Sequence, residues 1–213
     1  MAISAPCIVL GSRSPRRREL LAHLIPADRI VVAPPSTPDE PGFEGLTAWS
    51  QIHDRLQEIA RQKNDDVRLQ QPASAVVLTA DTVIVGEAEG ELAVLGQPPE
   101  TPGWKEVVRM WFERYLLGRP HFAVTAVCLS NAADRWETLA QTQVTFAMAG
   151  PEVVDWYLAT GESRGKAGGY ALQGAGSLFV EEIVGSPSNV VGLPLRETRD
   201  LMIQAGILQG ATE

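Results

Sequence analysis

The chain has 213 residues, 45% hydrophobic and 21% charged, with 26 acidic against 18 basic side chains and a formal net charge of −8. That length and composition suit an α/β protein with a substantial core and exclude a disordered chain. The acidic balance argues against a dedicated nucleic-acid binder, although a small anion responds to its nearest few charges rather than to the total.

The amino-terminal segment MAISAPCIVLGSRS lacks the basic start and long apolar run of a signal peptide. No apolar stretch approaches the roughly 20 residues of a membrane span, so the expectation is a cytoplasmic protein without a membrane partner. The apolar run at 7–10, followed by Gly11, Ser14-Pro15 and leucines at helical spacing, predicts strand, turn and helix. Ser14 would be the N-cap and Pro15 the first helical residue. A short strand is predicted at 30–33, and PPSTPDEPGFEG (34–45) carries too much proline and glycine to be regular. Residues 46–62 alternate apolar and polar positions at helical period through Trp49, Ile52, Leu56 and Ile59.

An apolar strand at 75–80 ends at Asp81-Thr82, with 83–85 continuing it, and GEAEGELAVLGQPP predicts a hairpin. A helix is expected over 102–117, then strands at 121–129 and 138–146 joined by a polar turn, and a helix at 151–159. Residues 161–176 are glycine-rich, 177–183 read as a strand, and a last helix runs over 194–204 with Gly206 as its cap. Strands and helices intermix, and two hairpin-like pairs predict a mixed, partly antiparallel sheet flanked by helices. Cys7 and Cys128 fall in runs that read as buried strands and are expected to be free thiols.

Three stretches carry chemistry. GSRSPRRRELL (11–21) puts four arginines within six positions. A strand feeding a helix start presents free backbone N–H groups, to which Ser12, Ser14 and the arginine forks add donors suited to phosphate. A solvated first turn paired with acidic neighbours is the alternative, but cations at a helix start oppose its dipole. No G-x-x-x-x-G-K-[ST] occurs, so this is not a P-loop. Asp81, at an expected strand end, can hold Mg²⁺ or orient a water, or can cap the next turn. Asp39-Glu40 can add oxygens for a metal or be a solvated pair. RGKAGGYALQGAG (164–176) can bring backbone close to a ligand or be a flexible loop, and it carries Lys166 and Gln173. His23 and His53 fall on predicted helices and His121 starts a strand. They form no triad or metal cluster by spacing, which disfavours an acyl-transfer hydrolase.

In order, GSRSPRRRELL (11–21), PDE (38–40), ARQK (60–63), TADTVIV (79–85), LGQP (95–98), GRPHFAVTAVCL (118–129), GKAGGYALQGAG (165–176) and GSPSNVVGLPL (185–195) resemble the Maf family of nucleoside triphosphate pyrophosphatases. The resemblance implies an α/β fold with one domain over 1–213, its two lobes flanking a cleft, related to inosine triphosphate pyrophosphatases. It implies hydrolysis of a nucleoside triphosphate to monophosphate and pyrophosphate with a divalent metal, usually Mg²⁺, with Mn²⁺ or Co²⁺ as substitutes.

By matching position, Ser12, Arg16 and Arg17 contact phosphate, Glu40 is linked with metal, and Lys63 is the basic residue ending the second helix. Asp81 is the proton acceptor or a metal ligand, and Lys166 and Gln173 are the functional loop positions. Arg13 and Arg18 match variable positions and read as surface charge. Arg16, Thr82 and Gln173 look like the set of the branch acting on dTTP and UTP.

The chain departs from the pattern at Gln97, where lysine is usual, at Gly165, where aspartate commonly precedes the lysine, and at Ser186-Pro187, where Asp-Tyr is frequent. The loss of a cation at Gln97 leaves an alternative, a nucleotide-binding regulator with weak turnover, in keeping with the family's links to septum formation. The resemblance also allows a homodimer. Stable nucleic-acid binding is not expected.

Overall fold

The computed structural model describes residues 7–36 and 41–209. Its described strands are β1 (Ile8–Leu10), β2 (Ile30–Val32), β3 (Val76–Ala88), β4 (Glu91–Leu95), β5 (Pro120–Ser130), β6 (Arg135–Phe146) and β7 (Val180–Val184). They form one mixed sheet in the order β2-β1-β3-β5-β6-β7, with β4 added to β3. β1 runs parallel to β2 and β3, and the remaining strand pairs are antiparallel. Along one edge of β3, β1 covers residues 76–78 and β4 covers 84–88, while β5 pairs with 77–85 on the other edge. Among the described residues, 79–83 have no strand partner on the first edge. The carboxyl ends of β1 and β4 approach this opening from opposite directions.

The helices are α1 (Pro15–Leu21), α2 (Trp49–Leu69), α3 (Trp104–Trp111), α4 (Pro151–Thr160), α5 (Pro187–Val191) and α6 (Leu195–Gln204). Strand alternation sends successive side chains of β3 to opposite faces. One face carries Val83 and Val85 against Ile52, Leu56 and Ala60 of α2. The other carries Leu78 and Ala80 against Leu201 and Met202 of α6. A third cluster gathers Phe112, Phe146, Tyr157 and Phe179, with Phe112 and Tyr157 stacked at 5.6 Å.

Several elements differ from the sequence expectation. α2 continues to Leu69 through the polar run KNDDVRL. Asn64 is fully buried there, donating to the carbonyls of Val77 (3.1 Å) and Cys128 (3.3 Å) and accepting from Ser130 Oγ (2.6 Å). This tertiary satisfaction outweighs the low helix propensity of Asn and Asp, and it makes Lys63 a mid-helix residue rather than a helix end. β3 likewise passes through Asp81-Thr82 without stopping, so Asp81 lies mid-strand, three residues beyond Leu78, the partner of the last residue of β1.

The expected helix over 102–117 becomes α3 plus a wider π turn, Phe112–Leu116, which buries both of its end residues. A 3₁₀ turn, Ala175–Phe179, precedes β7, and α5 is an element that periodicity did not reveal. Cys128 is buried as expected. Cys7 is exposed, because it precedes β1 rather than lying within it.

The glycine-rich segment is tied down at three points. Gly168 N donates to Gly96 O, the residue after β4, at 3.0 Å. Gly168 has φ +66°, and a Cβ there would lie 2.7 Å from Ile84 Cγ1, so both backbone angle and space demand glycine. Tyr170 is hydrogen-bonded through its hydroxyl to His121 Nε2 at 3.0 Å. Glu162 accepts from the backbone N–H groups of Ala175 (2.7 Å) and Gly176 (2.8 Å) and from Tyr157 Oη (3.2 Å), so one carboxylate closes the two ends of the loop. It also sets the 3₁₀ turn that delays β7.

Gly168→Ala should cost about 2 kcal/mol of stability in urea unfolding, the sum of a left-handed angle and an overpacked methyl. Burial pushes the His121 pKa down from 6.5 to about 3, so His121 is neutral in the fold and must lose a proton for the chain to fold from acidic solution. Its contribution is complete above pH 6.5 and is lost as pH falls toward 3. Urea titrations across pH should therefore show the advantage of wild type over His121→Asn narrowing through that window, by up to about 1.4 kcal/mol per pH unit.

Candidate active site

The first side of the site is built on the turn out of β1. Gly11 N donates to Leu78 O (2.8 Å) and Ser12 N to Leu10 O (2.9 Å), which turns the chain sharply into α1. Ser14 caps α1 by accepting from Arg17 N at 3.4 Å, and Pro15 follows in the first turn, as the Ser-Pro sequence predicts. Ser12 is nearly buried, and its Oγ accepts from Ser14 N at 3.2 Å.

Arg17 reaches inward. Its Nε donates to Gly192 O (2.8 Å), Nη1 to Ser12 Oγ (3.3 Å) and Nη2 to Thr82 Oγ1 (3.1 Å). One guanidinium thus braces α1 against β3 and against the turn after α5. Thr82 also lies 2.9 Å from Thr125 Oγ1, so its hydroxyl belongs to this bracing network. Arg16 is half-buried, and burial lowers its pKa, partly offset by Glu19.

On the opposite face of β3, Asp81 meets α2. Lys63 Nζ lies 2.5 Å from Asp81 Oδ1, and the two side chains are only 16% and 14% exposed. A nearly buried ion pair fixes the carboxylate in direction, since removing either partner would strand the other charge.

The glycine loop supplies the third wall. Lys166 Nζ donates to Arg164 O at 3.3 Å. The Lys166 pKa is lowered, first by burial and then by the neighbouring charge of Arg16, with Glu162 opposing. Arg164 Cζ sits 5.6 Å from the Trp104 ring centroid.

These three walls enclose a cleft of about 580 Å³ at the opening in β3. Ser12, Arg16, Arg17, Lys63, Asp81, Thr82, Lys166 and Gln173 all line it. Glu40 and the PDE stretch lie outside the described residues. Gln97, two residues beyond β4, lines it with a neutral amide.

The sequence reading missed four contributors. Arg13, taken as surface charge, lines the cleft, while Arg18 is exposed and does not. Arg164 also lines it; its signal was a second cation two residues before Lys166 inside a glycine run. Glu162 and the carbonyl of Gly192 hold the walls, and no local pattern marks either role. Six basic side chains and one carboxylate line the cleft among the described residues. Such an excess concentrates positive potential where phosphate oxygens would be held by forked and point-charge donors. Among the described residues no three His, Cys, Asp or Glu side chains gather as a metal site, and no helix is long and apolar enough to cross a membrane.

Residues 7–205 match the family model of Maf-like proteins. A dTTP/UTP pyrophosphatase of Anaeromyxobacter dehalogenans is 41% identical over 206 residues, which cover 95% of each chain. One from Shewanella oneidensis is 38% identical across 94% of this chain and 99% of the relative. One from Pyrococcus horikoshii is 32% identical across 91% and 94%. With the mixed seven-stranded sheet and a full-length match in both directions, the chain belongs to the Maf family.

Proposed function

We propose that the protein is a cytoplasmic pyrophosphatase that hydrolyses dTTP and UTP to the monophosphate and pyrophosphate. The observation that carries this reading is the cleft itself. Among its described residues an acidic chain gathers six cations around one ion-paired carboxylate, at a size that accommodates a nucleotide. The names of the relatives support the same substrates. The whole chain would act as one unit, with the helices and strands on either side of the opening as two lobes.

In this reading a water bonds to the α-phosphorus while the bond from that phosphorus to the bridging oxygen of the β-phosphate breaks. Asp81 orients the water and accepts its proton, and Lys63 holds the carboxylate on line. Negative charge moves onto the departing pyrophosphate, where Arg16 and Lys166 stabilise it. Arg17 contacts phosphate from the turn that it braces, and Ser12 and Thr82 set that brace.

Gln173 is exposed at the cleft wall. Its amide offers one donor face and one acceptor face, which complement the alternating carbonyl and N–H edge of uracil and thymine. Asp81 is the only carboxylate lining the cleft among the described residues. That donor set suits Mg²⁺ held by one carboxylate together with substrate phosphates, and such an ion would neutralise phosphate charge. Glu40 is the further acidic residue proposed for it.

Purified protein with Mg²⁺ should release pyrophosphate from dTTP and UTP faster than from purine triphosphates. No release from any triphosphate would overturn the reading. Asp81→Asn should lower kcat at least about 100-fold while UTP binding, measured by calorimetry, persists. The neutral Gln97 favours a second reading, a nucleotide-binding regulator with little turnover, which saturable UTP binding without pyrophosphate release would establish.

A further inference from the structure

Arg164 is placed unlike an ordinary surface arginine. It follows α4 through a turn in which Arg164 N donates to Gly161 O at 3.3 Å. Its side chain is exposed, lines the cleft, and makes no ion pair or side-chain hydrogen bond among the described residues. The guanidinium lies over Trp104 instead, 5.6 Å from the ring centroid, and Trp104 is 7% exposed and belongs to the buried core. An aromatic platform holds a guanidinium in position without consuming its N–H donors. Packing of a long side chain on an apolar ring would account for that contact alone.

The surrounding charges decide otherwise. Lys166 is tied to the Arg164 carbonyl, and the charge of Arg16, across the cleft on α1, depresses the Lys166 pKa. Arg13 stands on the α1 side as well. Cations therefore converge from two walls, Glu19 and Glu162 offset them only from outside the lining, and the carboxylate that lines the cleft among the described residues is Asp81, which Lys63 already pairs. Like charges gathered this way are relieved by a polyanion lying between the walls.

We propose that Arg164 binds the β,γ-phosphate portion of the substrate, gripping from the glycine-loop wall the polyanion that Arg13 and Arg16 meet from α1. Asp81 lies between the sheet and α2 with little exposure, and Arg164 lies at the rim. A nucleotide with its α-phosphorus at Asp81 extends its two outer phosphates toward the rim, where a forked donor fits them. The orientation rests on the reading of the cleft as a triphosphate hydrolase site. The anion contact itself is measured without turnover.

Calorimetry with two probes, inorganic pyrophosphate and UMP, tests it in the full chain. Arg164→Ala should weaken pyrophosphate binding by roughly tenfold, the loss of one charge-assisted contact, and leave UMP binding unchanged. Arg164→Lys should fall between, keeping the charge without the fork. Arg18→Ala, which removes the same charge from outside the cleft, should change neither probe by more than about twofold at 0.15 M salt. Unchanged pyrophosphate affinity in Arg164→Ala overturns the proposal. So does an equal loss for UMP, and so does an equal loss in Arg18→Ala. If wild type releases no pyrophosphate from any triphosphate, the hydrolase reading fails by itself, and the difference between wild type and Arg164→Ala still reports whether Arg164 grips the anion.

Discussion

The interruption along one edge of β3 governs the rest of the molecule. A sheet interior ordinarily pairs every backbone N–H and C=O, and unpaired groups there are costly unless they meet solvent or a ligand. In this chain β1 ends in register with Leu78 and β4 ends in register with Ile84, so the five residues between them face an opening on that edge. The carboxyl ends of two strands converge on it, which is the location where open α/β sheets form ligand crevices. Because β3 continues straight through, Asp81 and Thr82 project to opposite faces beside that opening, and the cleft can draw side chains from both layers of helices.

An opening in a sheet needs bracing, and the chain provides it with polar side chains used as struts. Arg17 joins α1, β3 and the turn after α5 through three donors. Asn189 performs the same service behind it, donating to the carbonyls of Ala123 (2.9 Å) and Ala140 (3.3 Å) and so fixing α5 on β5 and β6. Glu162 closes the glycine loop with two backbone N–H groups, and His121 holds Tyr170 from within the core. Arg17, Asn189 and His121 each join segments far apart in sequence, and Glu162 joins the two ends of one loop. The walls of the cleft are therefore set by the folded core rather than by the flexibility that so many glycines would otherwise confer.

Electrostatically the molecule divides its charge by place. Its total is −8, yet among the described residues the cleft collects six basic groups. Not all are equivalent. Arg17 and Lys63 are engaged in holding other groups, whereas Arg13, Arg16 and Arg164 have no ion pair among the described residues. The same residue type thus lines one cleft both as a strut and without an ion pair among the described residues, and only its partners distinguish the two.

Local chemistry determined much of this from the sequence. The Ser-Pro start of α1, the amphipathic period of α2, the apolar strand around Asp81 and the hairpin turns all arise from interactions within a few residues, which periodicity and capping patterns register. The glycines at 168 and 169 were visible as a close-approach segment, and the eight described candidate residues all line the cleft, Lys63 having been marked only by the family resemblance. What the tertiary structure decided depends on partners that sequence spacing does not encode. Asn64 carries α2 beyond its polar break because its amide reaches Val77 and Cys128. Asp81 sits mid-strand because β5 pairs across it. Ser186-Pro187 starts α5, whose five residues are too few for a periodic signal. Arg17 became a brace through a carbonyl 175 residues away, while Arg13 and Arg164 joined the site because an opening in the sheet brought two distant turns face to face. Hydrogen bonds and charge contacts of that range depend on the register of the folded core, and for that reason residue types and spacing could announce an anion site without apportioning its arginines.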